Sequence, residues 1–328
     1  MMKWAKNRMP NEQQLQEIEL KLMLEPEQVS SLKAAINQLA GTNQGQEKLL
    51  VNRYFDTPNL ALRQLEMGLR VRGCNGALEQ TIKTAGQVIG GLHSRPEYNV
   101  TIHDEQPQLA LFPAEIWPAG TDISQLQQAL SCLFSTDFQR TTWLIQQQHA
   151  QVEVAFDQGD IRAGAQQTPI CEVEFELFSG EASALLTLAM QVARAVPVRL
   201  GRASKAQRGY RLAGQQTLAA PKAPQFEQLT VASLLAEWQT LEEAIFAFAD
   251  DTGKSQQYWL WLAELLAQLP RVLQQDALDE AIAEQSLWLI GELQVDSELT
   301  AAARLKLLQQ QLYYGQLQLR LLALVLAA

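Results

Sequence analysis

Through the first two thirds of the chain, apolar and polar residues alternate in short runs, and each run stops at a turn signal. The alternation predicts strands over 15–24, 49–57, 67–73, 77–84, 96–102, 137–147, 151–157, 160–164 and 170–178. Asn75-Gly76, Gln158-Gly159 and Gly90-Gly91 read as tight turns or bends between them. Helical spacing predicts helices over 26–39, where Pro26 suits a first turn, and over 123–130, 181–195 and 204–212. So many neighbouring strands with a few covering helices imply an α+β arrangement built on a mainly antiparallel sheet or barrel.

The pattern changes near residue 214. Residues 214–228, rich in Ala, Pro and Gln, read as a linker, and helical periodicity follows over 231–250, 255–269, 278–293 and 299–326. Asp251-Thr252-Gly253, Pro270 and Val295-Asp296-Ser297 separate these helices. The expected division is therefore a strand-rich domain over 15–213, a linker over 214–228 and an all-α helical bundle over 229–328. In that bundle Trp238, Trp259, Trp261 and Trp288 are read as core.

What the strands place at their polar positions changes the picture. Glu17-Ile18-Glu19-Leu20-Lys21 and Glu172-Val173-Glu174-Phe175-Glu176 each line up charges on one face, because a strand repeats a face every second residue, about 7 Å along. Arg70 and Arg72 share a face, as do Glu79, Thr81 and Lys83. Arg95, Glu97 and Asn99 alternate, as do Arg140 and Thr142, and Glu153 and Asp157 lie on one side across Ala155. A sheet with one wet face explains any single strand of this kind. Same-sign rows on several strands point instead to a barrel of reversed polarity, with apolar residues outward under helices and charge inside. Carboxylate oxygens suit hard divalent ions such as Mg²⁺, while Arg forks and Lys ammonium groups suit phosphate oxygens. Both are needed by a polyphosphate bound with metal.

Composition narrows the classes. With 328 residues and 47% hydrophobic content the chain can bury large cores, and its length suits two domains. No apolar run approaches a membrane span, and residues 1–14 lack the apolar core of a signal peptide, so cytoplasmic residence is expected. The net charge is −10, but residues 229–328 hold thirteen acidic and five basic residues, leaving 23 and 21 for the rest. An acidic helical surface of this kind supports neither a nucleic-acid nor a membrane partner. Cys74, Cys132 and Cys171 are expected as buried free thiols, and three histidines, His93, His103 and His149, argue against histidine metal chemistry. No GxxxxGK[ST] loop and no Ser-His-Asp or Cys-His grouping is present, so no protein nucleophile is expected. His93 is read as a loop residue on a tunnel rim, and Asp56-Thr57-Pro58-Asn59 as a strand exit and helix entry.

An ordered series of motifs carries a family resemblance. Glu17-Ile18-Glu19-Leu20-Lys21 has the form ExExK, and it is followed by Arg53-Tyr54-Phe55-Asp56-Thr57-Pro58, Gly68-Leu69-Arg70-Val71-Arg72 and Thr81-Ile82-Lys83. Then come Gly91-Leu92-His93-Ser94-Arg95-Pro96-Glu97-Tyr98-Asn99, Glu172-Val173-Glu174-Phe175-Glu176 and Ser204-Lys205. From about 15 to 212 the chain resembles the CYTH family, the triphosphate tunnel metalloenzymes, and most of all bacterial inorganic triphosphatases that join a CYTH domain to a helical CHAD domain.

The resemblance implies an eight-stranded antiparallel β tunnel barrel that binds a linear triphosphate with Mg²⁺, or Mn²⁺ as the other candidate. It implies Glu17, Glu19, Glu172 and Glu174 as metal-associated, with Glu97, Glu153 and Asp157 for a second metal or for orienting water. Lys21, Arg70, Arg72, Lys83, Arg140, Lys205 and Arg208 would hold phosphate oxygens, and Glu79 and Glu176 balance charge. The implied reaction is metal-assisted hydrolysis of tripolyphosphate to phosphate and diphosphate, with Glu17, Glu19, Lys21, Glu172 and Glu174 as the catalytic set. A thiamine triphosphatase, a CYTH-type adenylate cyclase and a non-catalytic polyphosphate or nucleotide-binding module are the alternatives on the same tunnel. CHAD domains carry histidines and basic residues, whereas 229–328 has no histidine and five basic residues. This part is therefore expected to be a reduced or diverged CHAD-like module that has lost polyphosphate binding and serves packing or contact with another protein or chain.

Overall fold

The computed structural model describes residues 16–39, 45–147, 149–273, 279–295 and 297–328. The segment 1–14 and the expected element positions Leu15, Leu278 and Asp296 lie outside them. Ten strands run β1 (Gln16–Met23), β2 (Gln46–Asp56), β3 (Gly68–Cys74), β4 (Ala77–Lys83), β5 (Gln87–Ile89), β6 (Leu92–Ile102), β7 (Ser131–Gln147), β8 (Ala150–Ala163), β9 (Gln166–Ser179) and β10 (Arg199–Leu200). Neighbours pair in the order β1-β9-β8-β7-β2-β3-β4-β6, and β6 returns to β1 through Glu17 opposite Arg95 and Glu19 opposite His93. The result is a closed antiparallel eight-stranded barrel, with β5 added outside on β6 and β10 outside on β1.

Around the barrel lie α1 (Val29–Gln38), α2 (Ala61–Gln64), α3 (Ile123–Ala129), α4 (Ser183–Ala193) and α5 (Lys205–Leu212). The later helices are α6 (Val231–Ala247), α7 (Thr252–Leu266), α8 (Leu269–Leu273), α9 (Glu280–Gln294), α10 (Ala301–Gln309) and α11 (Leu312–Ala327). The segment between α5 and α6 contains neither helix nor strand. No helix among the described residues is long and apolar enough to cross a membrane.

The expected strands 151–157 and 160–164 are one continuous strand, β8. Gly159, read as a turn, instead lets β8 approach β7: an added Cβ would stand 2.2 Å from Asp137 O and 2.5 Å from Phe138 Cα. Asn75-Gly76 does turn, both residues holding positive φ between β3 and β4. Pro270 opens α8 rather than breaking the chain there, since a first-turn residue needs no amide donor. The expected helix 299–326 divides into α10 and α11 at Gln310-Gln311. The short elements β5, β10, α2 and α8 had too little pattern to be read.

The outward faces of the barrel carry its apolar residues. Leu20, Leu22, Val154, Phe156, Val173 and Phe175 of β1, β8 and β9 join α1, α4 and the helices after residue 230 in one continuous core. On the other side Phe55, Leu69, Val71, Ile82 and Ile102 pack with Leu109, Phe112 and Trp117. A third cluster faces inward, where Leu50, Tyr54, Phe134, Phe138, Ile161 and Ile170 meet Tyr210 of α5. Gly209 permits that contact, because a Cβ there would stand 2.0 Å from the Phe134 ring. Cys74 and Cys171 are buried free thiols as expected, but Cys132 is exposed, at the start of β7 where the strand projects past its buried section.

Candidate active site

With apolar residues turned outward, the alternate positions of β1, β3, β4, β6, β7, β8 and β9 converge inside the barrel, and their charges fall into three groups. In the first, Asp157 of β8 stands opposite Glu172 of β9, and their carboxylate oxygens and one of Glu174 lie within 4.8 Å of one another. All three residues are buried. Lys21 Nζ lies 3.2 Å from Glu172 and 2.9 Å from Glu174. Lys205 Nζ, brought in by the first turn of α5, lies 2.5 Å from Glu172, 2.6 Å from Asp157 and 2.9 Å from Glu174. Arg140 grips Asp157 with Nε and Nη2, both at 2.6 Å, and reaches Glu174 at 2.8 Å. Arg208 of α5 pairs with Glu172 from the far side.

These contacts set the protonation states. Burial alone would raise the Glu172 carboxyl, but Lys205, Lys21 and Arg208 outweigh it and hold it down at about 2. Burial likewise opposes ionisation of Glu174, yet Lys205, Lys21 and Arg140 hold its carboxyl well below the usual range. Lys21 is raised in turn, its burial overcome by Glu172, Glu174 and Glu19. Glu172, Glu174 and Lys21 are therefore all charged at neutral pH. Three buried carboxylates with convergent oxygens fit the donor preference of a hard divalent ion.

The second group centres on Lys83, whose Nζ lies 2.5 Å from Glu17 and 3.0 Å from Glu97. Arg95 stands 3.5 Å from Glu17 and 3.7 Å from Glu19. Asn99 donates to Glu97 at 2.7 Å. Lys21, 4.0 Å from Glu19, links this group to the first. Burial and the neighbouring Glu19 and Glu97 together raise the Glu17 carboxyl despite Lys83 and Arg95.

The third group is cationic. Arg70 donates to Thr81 Oγ1 at 3.0 Å and leaves its buried Nε without a partner, and Arg72 donates to Asn52 Oδ1 at 2.8 Å. Neither forms an ion pair with a carboxylate among the described residues, in contrast to Lys21, Lys83, Arg140 and Lys205. Burial, Arg70 and Arg140 pull Arg72 down to about 10, so it stays charged at neutral pH. Tyr54 stands opposite Arg70 on β2, its ring stacked on Phe134 at 4.6 Å. Burial would raise its phenol, but Arg70, Arg72, Lys205 and Lys83 lower it.

The structure thus brings Glu172 and Glu174 together with Asp157, and places Glu17 and Glu19 with Glu97. Glu153 is half-buried on β8 opposite Glu176 of β9, outside the three-carboxylate group. Sequence reasoning left Tyr54, Asn52, Thr81, Asn99 and Arg95 off the site. Thr81, Asn99 and Arg95 occupy the same alternate positions as Lys83 and Glu97, so the signal was available in the period. Asn52 and Tyr54 sit in an apolar run, and only the pairing of β2 with β3 puts them beside arginines.

His93 is not a rim-loop residue. It lies in β6 opposite Glu19, 2% exposed, with Nε2 3.2 Å from Gly201 O. Burial, then Lys21 and Arg95, push it down to about 3, so it is a neutral imidazole in the wall. Asp56 does end a strand and start a helix. Its Oδ1 accepts from the amides of Thr57 at 2.7 Å and Leu62 at 2.9 Å, and Oδ2 accepts from Arg63 N at 3.1 Å and Tyr210 OH at 3.2 Å.

The lumen of this closed β barrel thus holds acidic groups on β1, β8 and β9 and an unpaired basic pair on β3. A family model described as CYTH domain matches residues 15–210, and the chain belongs to that family. Over 209 residues the chain is 42% identical to an inorganic triphosphatase of Haemophilus influenzae, a match covering 62% of this chain and 57% of that protein. The chain therefore spans little more than half the length of this curated relative. Among solved structures, a candidate adenylyl cyclase from Hippeastrum described as having a dominant triphosphatase activity aligns with a TM-score of 0.44 at 20% identity, covering 58% of this chain and 92% of that one. A protein from Pyrococcus horikoshii aligns with a TM-score of 0.38 at 13% identity, covering 58% of this chain and 98% of that one.

Proposed function

We propose that this chain hydrolyses inorganic triphosphate to phosphate and diphosphate inside the barrel, with Mg²⁺ or Mn²⁺, in the cytoplasm. One observation carries the reading: Arg70 and Arg72 stand side by side in the lumen without a carboxylate, across from three convergent carboxylates. A buried guanidinium and a half-buried one that repel each other need an anion, and their forks match phosphate oxygens. The identity to an inorganic triphosphatase supports the choice of substrate.

In this reading Asp157, Glu172 and Glu174 hold the ion, and Glu17, Glu19 and Glu97 supply further oxygens for a second ion or for aiming water. A bound divalent ion supplies neutralisation of phosphoryl charge and a more acidic water. Arg70 and Arg72 take the phosphate at one end of the substrate, and Lys83, Lys21, Lys205, Arg140 and Arg208 line the rest of its path. These side chains must exchange carboxylate partners for phosphate oxygens, which keeps the number of buried charges paired before and after binding. Positioning of a linear anhydride with its leaving oxygen among fixed cations is the main catalytic contribution. Tyr54, held among the same cations, presents its hydroxyl to that path.

Release of phosphate from tripolyphosphate, ATP and thiamine triphosphate, each with Mg²⁺ and with Mn²⁺, tests this. Tripolyphosphate is expected to be much the fastest, and absence of release across neutral and alkaline pH overturns the reading.

We further propose that residues 229–328 form a diverged CHAD-like module without an anion site. Its basic residues are each engaged. Lys254 pairs with Asp251, Arg320 with Asp279 and Lys306 with Glu25. Arg271 donates to Phe226 O, and Arg304 lies over the Trp259 ring and donates to Val295 O. A full-length chain carrying Arg70→Gln and Arg72→Gln should lose affinity for long-chain polyphosphate at physiological salt, and undiminished binding would return the anion site to the helices.

A further inference from the structure

Segment 198–205 runs from α4 to α5 and touches both lysines of the three-carboxylate group. Gly201 N donates to Lys21 O at 2.9 Å, and Gly201 O accepts from the neutral His93 at 3.2 Å. The Lys21 stem lies directly on this backbone, since a Cβ on Gly201 would stand 2.7 Å from Lys21 Cγ and 3.0 Å from Cδ. Further on, Ser204 starts α5 with a reciprocal capping box, which fixes where Lys205 leaves the chain. The placement of both ammonium groups therefore depends on where this one segment lies.

The segment is anchored from the helical part. Leu200 N donates to Gln318 Oε1 of α11 at 2.9 Å, and Gln318 Nε2 donates to Glu242 Oε1 of α6 at 2.9 Å. The same Glu242 oxygen accepts from Tyr314 OH, whose oxygen accepts from Trp238 Nε1 at 2.8 Å. Gln318, Tyr314 and Trp238 are fully buried, and Glu242 is nearly so. Apolar contact would suffice to seat α11 on the barrel: Leu200, Leu234, Leu235, Leu317 and Leu322 belong to one core. A directional network ending on a single amide, next to the residue that touches Lys21, does something apolar contact cannot, which is to fix the backbone in register.

We propose that Gln318, oriented by Glu242, is a positioning residue for the tunnel: through Leu200 it fixes segment 198–205, and thereby the placement of Lys21 and Lys205 against Glu172 and Glu174. The helical module is thus part of the tunnel's scaffold. The kinetic arm of the test rests on the triphosphatase reading, and the exchange arm does not.

Gln318→Met keeps the bulk and removes both hydrogen bonds. Gln316→Met is the matched control, because Gln316 is buried on the same helix and donates to Ala193 O at 3.0 Å, away from segment 198–205. With tripolyphosphate at saturating Mg²⁺, Gln318→Met should lower kcat about tenfold while KM changes less than about twofold. Amide hydrogen exchange of the full chain, read by mass spectrometry, should quicken at 20–23 and 199–204. Gln316→Met should match it in loss of Tm and leave kcat and both peptides unchanged. Equal kcat in the two variants, or unchanged exchange at 199–204 in Gln318→Met, overturns the proposal. Should Gln318→Met not fold, Tyr314→Phe removes the hydroxyl that donates to Glu242 and accepts from Trp238, with a smaller change in the same direction expected and unchanged exchange at 199–204 again overturning it. A wild-type chain that releases no phosphate removes the functional reading and leaves the exchange comparison to decide the positioning role.

Discussion

The barrel lumen and the helical module bury polar groups to opposite ends. In the lumen, ions stand beside ions, and two of them, Arg70 and Arg72, are left short of opposite charge. In the module, Glu242 takes its hydrogen bonds from neutral donors, Tyr314 and Gln318, and its carboxyl is raised by burial against the pull of the nearby Arg199. A buried charge answered by neutral hydrogen bonds fixes a backbone, whereas a buried charge left unanswered waits for a ligand. The difference separates structure from function without reference to sequence similarity.

Substitutions that remove a lumen charge should therefore cost activity more than stability, and substitutions of apolar residues in the module's core the reverse. The largest expected effect is at Glu174, where Glu174→Gln keeps shape and removes charge. Hydrolysis of tripolyphosphate should fall by about 100-fold or more, with an altered Mg²⁺ dependence and a preserved circular-dichroism spectrum. Activity comparable to the parent would return the acidic row to ordinary sheet surface. In the module, Leu262 of α7 is fully buried, and Leu262→Ala should cost about 2–4 kcal/mol in denaturant unfolding. Below its melting range that variant should keep kcat, and a parallel loss of kcat would blur the contrast.

Acid should expose the same division. Glu172 is depressed to about 2 from an ordinary 4.5, so the stability it contributes is fully present above 4.5 and is lost as pH falls through about 2. Glu174 runs in the same direction. Glu17, with a raised carboxyl, runs the other way and contributes more as pH falls. Tm should hold from pH 7 to pH 5 and drop below about 4.5, where the unfolded carboxylates begin to take up protons, and Glu172→Gln should flatten the drop. A Tm independent of pH in that window would mean that the lumen charges are already screened by water. The smallest effect is a gain: Arg72→Met relieves the repulsion from Arg70 and Arg140 and should raise stability by about 1 kcal/mol while KM for tripolyphosphate rises. Sulfate or tripolyphosphate should raise the Tm of the parent and not of that variant.

How much of this was legible in the chain depended on which contacts carry a period. Glu17, Glu19, Lys21, Arg70 and Arg72 announced themselves through alternation, and a barrel with its charges inside followed from their rows, while its closure over eight strands was implied by the family resemblance. Asp157 could be placed on a face but not beside Glu172, because that pairing depends on register between β8 and β9, which no local pattern encodes. His93 looked like a loop residue because Gly90 and Gly91 precede it, yet the turn ends before it and β6 has begun. Gln158-Gly159 misled for a related reason, since glycine serves close approach as readily as it serves turning. Gln318 had no signal at all: one of two glutamines on α11, it acquires meaning only from the amide it meets across 118 residues of chain.

The closure of the barrel has a consequence for how the protein is made. β1 is paired on one side with β6 and on the other with β9, which ends at Ser179. On a ribosome adding about 5–20 residues per second, the first strand waits roughly 10–30 s before its second neighbour exists. During that interval it is a free strand edge of the sort that captures stray partners. Glu17, Glu19 and Lys21 interrupt its apolar residues at every second position, and a nascent strand so charged pairs poorly with anything but its own complement. The charges that line the mature lumen also guard the unfinished chain against aggregation.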